Sequence, residues 1–263
     1  VRLRDLRRLG ELVAYVHERG LNWRLLGGGS NLLVVDEGLD DVVIQLLREP
    51  NGLKFEGPRV EVSTAANLGT MVMECAKRNL GGMEGLIGVP GTVGGALHMN
   101  AGAYGTEISD VVRALTVFRG AHSKIEVLRT EEVRFEYRGS SFGPDDILLS
   151  VTLELPEKPY VEILERIKQC NQKRRASQPI HEKSAGCIFK NPPGLSTGKI
   201  IDELGLKGTQ VGGAVISERH ANFIVNRHGA TASDIFRLMD LIRERVHRAY
   251  GVALQEEVIV WRN

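Results

Sequence analysis

The sequence contains few cysteines and no long apolar run. Its three cysteines, Cys75, Cys170 and Cys187, lie far apart and form no Cys-x-x-Cys pair. This spacing argues against a disulfide framework or a structural zinc site and favours a reducing, cytoplasmic location. The apolar runs are far shorter than the ~18 residues that a membrane span requires, and the charged N-terminal residues do not resemble a signal peptide. We therefore expect no membrane association.

Metal ligands and a strong net charge are also missing. Seven histidines occur without the His-x-x-x-His spacing typical of metal ligands, so we expect no metal site. Lys and Arg number 34 against 33 for Asp and Glu, a net charge of +1. Without a global positive field, nucleic acid is not an expected partner, and any anion has to be bound locally. With 42% hydrophobic and 25% charged residues, a disordered, collagen-like or coiled-coil chain is excluded.

Helix and strand signals are mixed along the 263 residues. Helices are predicted, mostly from apolar positions at helical spacing, at 6–20, 68–82, 163–170 and 197–204, and from a capping pair at Thr231 and Asp234 onward. Strands are predicted at 23–26, 32–35, 42–46, 60–63, 112–118, 124–128, 147–155, 211–216, 221–226 and 256–261. The prolines at 156 and 159 resemble a linker, so we place one domain at 1–157 and a second at 158–263.

The 30 glycines exceed the average usage of ~7% and form two clusters. One is Gly27-Gly28-Gly29-Ser30-Asn31, and the other extends from Gly85 to Gly105. Glycine-rich loops can direct successive amides at phosphate oxygens. A tight hairpin turn is the alternative for the first cluster taken alone, and the presence of the second cluster weakens that alternative. Neither a Rossmann Gly-x-Gly-x-x-Gly opening a helix nor a P-loop is present, so another dinucleotide-binding geometry is needed.

Positive charge is concentrated in the second half of the chain. Between Arg166 and Lys190 there are seven cationic residues and one anionic residue, a local charge of +6. A solvated helix face is the usual explanation, but a glycine-containing strand at 184–192 follows directly and favours binding of an anionic group. Cys187 lies in that strand, where core packing and chemistry are equally good interpretations. Cys75 and Cys170 occupy helical core positions and are interpreted as buried hydrophobes.

Several separate motifs occur in the order and at the spacings of one known family. The motifs are Gly-Gly-Gly-Ser-Asn at 27–31, Gly-Val-Pro-Gly-Thr-Val-Gly-Gly-Ala at 88–96, Met-Asn-Ala-Gly-Ala-Tyr-Gly at 99–105, Tyr137-Arg138, Ala-Gly-Cys-Ile-Phe-Lys-Asn-Pro at 185–192, Gly-Lys-Ile-Ile-Asp at 198–202 and Glu257-Val258. Together they cover nearly the whole chain and resemble the UDP-N-acetylenolpyruvoylglucosamine reductases.

The resemblance implies an α+β fold and a flavoenzyme of peptidoglycan synthesis. The FAD-binding domain would be of the vanillyl-alcohol-oxidase type, made of two α+β subdomains, and a smaller α+β substrate domain would follow it. NADPH would reduce bound FAD, and the enolpyruvyl ether of a UDP-sugar would then be reduced to the lactyl ether of UDP-N-acetylmuramate. A UDP-sugar is therefore the expected small-molecule partner.

The resemblance also carries site residues over to this sequence. The catalytic residues would be Arg138, Cys187 and Glu257. The cofactor would be bound by Gly27, Gly28, Gly29, Ser30, Asn31, Gly91, Thr92, Gly94, Gly95, Ala96, Asn100, Ala101, Gly102 and Ala103. The substrate would be contacted by Tyr137, Arg175, Asn191 and His220.

The chemistry expected of the three catalytic residues follows from charge development on the substrate carboxylate. Arg138 can bind the carboxylate oxygens with its planar fork, and Glu257 would act protonated, its pKa raised by burial, or through a water molecule. Most of the family has a serine where Cys187 stands. A thiol with an ordinary pKa of about 8.5 is mostly protonated at neutral pH, so our hypothesis is that Cys187 is the general acid, with Ser184 as the next candidate.

Two further departures and two alternatives accompany the resemblance. The connection from Leu155 to Ile163 leaves no room for the tyrosine-bearing loop of longer members, which indicates the short form. The family's opening strand is not seen before Val1, which bears on the affinity for FAD.

Two alternative functions stay open. One is another FAD-dependent oxidoreductase on the same scaffold, acting on hydroxy acids or sugars, and the other is a nonenzymatic nucleotide-binding module.

Overall fold

The structure is a computed structural model and describes residues 1–47 and 52–263. The α-helices are α1 (Leu9–Glu18), α2 (Leu68–Ala76), α3 (Val93–His98), α4 (Tyr160–Ser177), α5 (Thr197–Glu203) and α6 (Ala232–Tyr250). The strands are β1 (Arg2–Leu3), β2 (Trp23–Leu25), β3 (Leu32–Val34), β4 (Val42–Leu46), β5 (Leu53–Glu56), β6 (Arg59–Ser63), β7 (Gly102–Ala103), β8 (Thr106–Glu107), β9 (Val112–Arg119), β10 (Lys124–Arg129), β11 (Phe135–Glu136), β12 (Gly139–Ser140), β13 (Asp146–Glu154), β14 (Ser184–Cys187), β15 (Gln210–Val211), β16 (Ala214–Ile216), β17 (Phe223–Asn226) and β18 (Ile259–Trp261).

The described residues divide into two compact units. The first contains Val1–Gly28 and Asp41–Gln172, and the second contains Gly29–Asp40 and Lys173–Asn263. Each unit has its own buried apolar cluster. The short segment 29–40 belongs to the second unit because β3 pairs in parallel with β18, at the far end of the chain.

The first unit contains the two-stranded sheets β7-β8 and β11-β12 and is built on two larger sheets. One is an antiparallel sheet in the order β10-β9-β13-β6-β5, and alternate residues of its strands form a core with α2. The other is a parallel sheet in the order β1-β4-β2. Leu9 and Val13 of α1 pack in a smaller cluster with Phe118, Ile147 and Leu149, because the apolar positions of this helix recur at helical spacing. Two α+β arrangements thus make up this unit.

The second unit is built on an antiparallel sheet in the order β14-β17-β16-β15. The long helix α6 buries Leu238, Met239 and Ile242 in the same apolar cluster as the sheet. Thr231 caps this helix, because its side chain accepts from the amide of Asp234 while the Asp234 carboxylate accepts from the amide of Thr231. The capping pair that the sequence predicts is therefore confirmed.

Most elements predicted from the sequence are confirmed, and the exceptions have physical reasons. The strand expected at 211–216 is a hairpin of β15 and β16, with Gly212 and Gly213 at its turn. The glycine-rich stretch 85–105, interpreted as backbone surface, contains the helix α3, which is capped by the Thr92 hydroxyl. Glycine is a poor helix former, so α3 gives no periodic signal.

The division between the units falls within α4 and differs from the predicted boundary after residue 157. Ile163 and Ile167, in the first half of α4, are buried in the core of the first unit. Apolar burial thus continues past the prolines on which the prediction was based. Where the functional domains divide stays a prediction. No helix in residues 1–47 and 52–263 is long and apolar enough to cross a membrane.

Candidate active site

Two glycine loops of the first unit meet at the backbone level. A Cβ atom on Gly28 would lie 2.7 Å from the Cα atom of Gly91, closer than real Cβ atoms approach backbone. A Cβ atom on Gly27 would lie 2.9 Å from the hydroxyl of Thr92. Only glycine therefore permits this approach, and the two predicted clusters form one small-residue surface at residues 27–28 and 91–92. Such a surface suits the close approach of a dinucleotide diphosphate.

The amides at the start of α3 are used within the chain. Val93 donates to the carbonyl of Ala66, and Gly94 donates to the carbonyl of Thr64, both at 2.9 Å. The amide of Gly95 donates to the Thr92 hydroxyl at 3.2 Å. These bonds hold the loop and the helix start, so we expect the predicted residues Gly94 and Gly95 to shape the site rather than to donate their amides to a ligand.

Arg138 lies at the turn between β11 and β12 with a positive φ of 56°. Its guanidinium donates to the carbonyl of Gly102 at 3.0 Å and lies 5.0 Å above the ring of Tyr137. A Cβ atom on Gly102 would approach both Arg138 and Glu107 within 3.4 Å. The structure thus places the predicted residues Arg138, Tyr137 and Gly102 together.

Asn100 connects these segments of the first unit. It is 2% exposed, and its side-chain nitrogen donates to Glu107 at 2.9 Å and to the carbonyl of Glu136 at 3.2 Å. Its side-chain oxygen accepts from the amide of Ser109 at 3.3 Å. Asn100 is thereby committed to the protein, and its bond to the residue preceding Tyr137 fixes the turn that carries Arg138.

In the second unit, Cys187 and Glu257 lie on adjoining segments. The amide of Glu257 donates to the carbonyl of Ile188 at 2.8 Å, and the amide of Val258 reaches the same carbonyl at 3.3 Å. Two residues oppose one, the arrangement of a β-bulge, which redirects side chains locally. A second irregularity in β14 lies between Ser184 and Cys187, where Gly186 has a φ of 81°. Cys187 is half-buried, whereas Cys75 and Cys170 are buried as predicted.

His220 also lies in the second unit and faces a glycine. Its Nδ1 accepts from the amide of Asn222 at 3.3 Å, and its ring packs edge-on against Phe223 at 4.8 Å. A Cβ atom on Gly198 would lie 3.0 Å from the imidazole ring. Burial, and secondarily the charge of Lys207, lower the pKa of His220 below its ordinary value. Because Nδ1 accepts a hydrogen bond, it carries no proton in this arrangement.

The other two predicted substrate residues have structural partners. The side-chain oxygen of Asn191 accepts from the amide of Thr197 at 3.0 Å, at the start of α5. The carbonyl of Arg175 accepts from the guanidinium of Arg219 at 2.9 Å. Glu182, the one acid within the basic segment, pairs at 2.8 Å with Arg227, which lies outside that segment. No group of three His, Cys, Asp or Glu among the described residues is placed to hold a metal ion.

The comparisons with known proteins match this arrangement over nearly the whole chain. A family model for the C-terminal domain of UDP-N-acetylenolpyruvoylglucosamine reductase matches residues 178–261, and one for an FAD binding domain matches residues 1–128. UDP-N-acetylenolpyruvoylglucosamine reductase 2 of Symbiobacterium thermophilum is 39% identical over 262 residues, which cover 99% of this chain and 85% of that protein. The reductase of Enterococcus faecalis is 41% identical over 249 residues, covering 94% of this chain and 82% of that protein.

The chain belongs to the UDP-N-acetylenolpyruvoylglucosamine reductase family. A crystal structure of the reductase from Thermus caldophilus superimposes with a TM-score of 0.85 at 38% identity, covering 99% of this chain and 91% of that one. The predicted resemblance and the α+β fold with an FAD-binding domain are thereby confirmed. The protein is an FAD-dependent oxidoreductase.

The reductase fold distributes the first predicted cofactor cluster over both units. Gly27 and Gly28 belong to the first unit, whereas Gly29, Ser30 and Asn31 belong to the second. Asn31 is bonded to the segment that contains Glu257: its side-chain nitrogen donates to the Glu257 carbonyl at 3.0 Å. In the sequence this cluster is continuous. Its division between the units cannot be predicted locally, because it depends on the pairing of β3 with β18, more than 200 positions away.

Sequence reasoning missed two residues that hold the segments carrying predicted site residues. Asn222 is 3% exposed, and its side chain accepts from the amide of Phe189 and donates to the carbonyl of Phe189. It thereby fixes the segment that follows Cys187. Glu107, which holds Asn100, was also not predicted. An asparagine inside the apolar run Ala221 to Val225 was the one available signal, since a buried amide needs partners.

Proposed function

We propose that this reductase reduces the enolpyruvyl ether of UDP-N-acetylglucosamine enolpyruvate to UDP-N-acetylmuramate, with NADPH as the reductant. This places it in cytoplasmic peptidoglycan synthesis, on which cell shape and division depend. The observation that carries the proposal is the similarity to reductases of this name over 99% of the chain. The geometry of the residues supports the individual roles below.

The residues that would hold FAD include the surface at 27–28 and 91–92. This surface suits a dinucleotide diphosphate, since Gly27 and Gly28 leave no room for a Cβ atom where the two loops meet. When bound, FAD supplies the hydride that the β-carbon of the enolpyruvyl group accepts. Gly29, Ser30, Ala96 and the segment 100–103 stay predicted cofactor residues.

Arg138 would bind the substrate carboxylate, on which negative charge develops when the β-carbon accepts a hydride. Its bond to the Gly102 carbonyl fixes one edge of the guanidinium in advance of binding. A prepositioned cation lowers the barrier because it requires no reorganisation during the reaction. His220 would lie near the same carboxylate, and Tyr137 would contact the substrate as well. Asn191 would be a hydrogen-bond partner of the substrate and Arg175 a phosphate or substrate contact, and the basic segment 166–190 would meet the diphosphate.

Cys187 would deliver the proton that completes the reduction at the α-carbon. The Cys187 thiol gives up its proton to carbon and is reprotonated from solvent, so the enzyme returns to its starting state. Glu257, on the adjoining segment, would donate a hydrogen bond to the charged intermediate, either directly as the acid or through water. The structural alternatives, core packing for Cys187 and a solvated strand end for Glu257, predict no effect of either side chain on turnover.

The test uses the purified protein reconstituted with FAD under anaerobic conditions. We expect yellow flavin absorbance, bleaching by NADPH, and return of the colour when enolpyruvyl UDP-sugar is added. Bleaching by a hydroxy acid or a sugar without NADPH would instead identify an oxidase. Failure to retain any flavin would favour a nonenzymatic nucleotide-binding module.

A further inference from the structure

Asn31 uses two atoms to hold the segment that contains Glu257. Its side-chain nitrogen donates to the Glu257 carbonyl at 3.0 Å. Its own carbonyl accepts from the amide of Ile259 at 3.0 Å. Both partners belong to the second unit, and the regular pairing of β3 with β18 begins only with the next residue, at Leu32 and Ile259. The side chain of Asn31 therefore extends the contact beyond the end of the ladder, toward Glu257.

The peptide groups on both sides of the Glu257 Cα atom are consequently held. The amide of Glu257 donates to Ile188, the residue after Cys187, and the carbonyl accepts from Asn31. The Asn31 bond is the one that comes from a side chain, so it can be removed without altering any backbone group. Because the pairing of β3 with β18 begins only at Leu32 and Ile259, the Asn31 side chain supplies the donor for the Glu257 carbonyl, which lies outside that ladder.

The chemistry of asparagine explains why this residue type is suited to the position. The bond needs an N–H donor on a short side chain, and a serine hydroxyl is one atom shorter while an aspartate has no donor when ionised. The bond to the Glu257 carbonyl uses one of the two N–H groups of the side-chain nitrogen, so the experiment has to separate an effect on Glu257 from an effect on FAD.

We propose that Asn31, which the resemblance assigns to the cofactor, is a positioning residue for Glu257. It aligns the acid with the substrate by holding the Glu257 carbonyl. The proposal rests on the role given to Glu257 above. It predicts that the Asn31 side chain affects the half-reaction with the enolpyruvyl substrate and leaves flavin reduction by NADPH unchanged.

The experiment measures the two half-reactions of the FAD-loaded enzyme separately by anaerobic stopped-flow absorbance. In Asn31→Ala we expect FAD content and the rate of bleaching by NADPH to stay within about twofold of the parent. Reoxidation by enolpyruvyl UDP-sugar should slow at least tenfold or so, as expected when a catalytic group loses its alignment. The matched control is Asn226→Ala in the same unit. It removes the hydrogen bond that the Asn226 side chain accepts from the backbone amide of Ala230. It should leave both rates unchanged.

A double-mutant cycle with Glu257→Gln separates the possible outcomes. If Asn31 acts through Glu257, adding Asn31→Ala to Glu257→Gln has little further effect on reoxidation. If Glu257→Gln slows reoxidation but Asn31→Ala does not, the positioning role is wrong and the proposed function stands. If Glu257→Gln itself has no effect, the role of Glu257 in the proposed function fails. Equal slowing of both half-reactions, or loss of FAD, would make Asn31 a cofactor or folding residue instead.

A second variant covers the case in which Asn31→Ala is unstable. Asn31→Ser keeps a small polar side chain that is too short to bond the Glu257 carbonyl. It should show the same selective slowing of reoxidation, with a thermal melt that is similar to that of Asn226→Ala. Parental reoxidation by a folded Asn31→Ser enzyme would overturn the proposal.

Discussion

The resemblance implies that the thiol of Cys187 takes the place of a serine hydroxyl, and a thiol and a hydroxyl differ in acidity far more than in size. An ordinary cysteine titrates near pH ~8.5, so at neutral pH it is protonated yet still a stronger acid than an alcohol. The burial of the other two cysteines shows the contrast within one chain. Burial raises the pKa of Cys75 to about 12, so that its thiol stays protonated and unreactive.

The first prediction at this scale concerns Cys187. We expect Cys187→Ser to keep substantial turnover, because a hydroxyl can still deliver a proton, and Cys187→Ala to lose about 10²-fold or more. Steady-state oxidation of NADPH with the enolpyruvyl substrate measures both. Cys170→Ala, which changes a buried cysteine of α4, is the control and should keep parental turnover. Full activity of Cys187→Ala would direct attention to Ser184.

The second prediction concerns the meeting of the glycine loops. In Gly28→Ala the new Cβ atom would lie 2.7 Å from the Cα atom of Gly91, so backbone has to move. We expect FAD affinity to fall at least tenfold or so, because the predicted diphosphate surface is displaced. Flavin fluorescence titration of the apoprotein measures this.

Gly10→Ala is the matched control for Gly28→Ala. Gly10 lies within α1, and its Cβ atom would be 3.9 Å from Phe118, an ordinary contact. The substitution should leave FAD affinity unchanged and stabilise the protein by up to ~1 kcal/mol, since alanine favours helix. A parental affinity for FAD in Gly28→Ala would mean that the loops tolerate separation.

At the scale of the element, several acceptors converge at the N-terminus of α6. Asp36, from the loop after β3, accepts from the amides of Ala232 and Ser233 at 2.8 and 3.0 Å. Asp234 accepts from the amides of Thr231 and Gly213 at 3.1 and 3.2 Å. These carboxylates satisfy amides that have no partner within the helix and interact favourably with its dipole.

The third prediction follows from the pKa of Asp234. Hydrogen bonds from Thr231 and Gly213, and then from Arg237, hold this pKa below the ordinary value of 3.8. A carboxyl whose pKa is lowered by folding stabilises the protein fully above its ordinary pKa and loses that contribution as the pH falls through the lowered value. Asp234→Asn should therefore be less stable than the parent at pH 7, and the difference should shrink below pH 3.8.

Urea unfolding at a series of pH values from 7 to 3 measures the difference in the free energy of unfolding between Asp234→Asn and the parent. Asp240→Asn is the control, since Asp240 lies on the exposed face of the same helix, where its side chain is 73% exposed. If the free energies of unfolding of Asp234→Asn and the parent differ by the same amount at every pH, the carboxylate charge does not contribute to stability.

At the scale of the whole molecule, the second unit is discontinuous in sequence. The segment 29–40 contributes β3, the Asp36 cap and Leu33, which packs on the core of this unit. The family model for the C-terminal domain covers 178–261 and does not contain this segment. The isolated C-terminal residues thus lack a strand, a helix cap and part of the core.

The fourth prediction concerns this missing segment. A fragment of residues 173–263 should unfold without a sharp transition, whereas the same fragment with residues 29–40 attached by a flexible linker should melt cooperatively. Loss of strand pairing and of an N-terminal cap each remove stabilising backbone bonds, and the cap alone is worth ~1 kcal/mol. Circular dichroism melts compare the two. An attached segment carrying Asp36→Ala should give an intermediate melting temperature, and equal melts for all three would contradict the role of the segment.

The elements themselves were predictable from local pattern. Each of these signals extends over only a few residues, so it can be recognised without knowledge of the fold. Examples are the apolar periodicities of α1 and β13 and the capping pair of Thr231 and Asp234. The family motifs likewise identified Arg138, Cys187 and Glu257 as candidates. The helix α3 was missed because its glycines carry no side-chain periodicity, and the hairpin at 210–216 because its apolar residues resemble one strand.

What the sequence determined by itself is most of the helices and strands, the need for glycine where backbone comes close, and membership of the family. Only the tertiary structure decided that Gly28 meets Gly91 and that Asn31 holds Glu257, 226 positions away. The physical reason is that backbone propensity and hydrophobic periodicity act over a few residues. Strand partners and buried hydrogen bonds depend instead on which distant segments the packed core brings together.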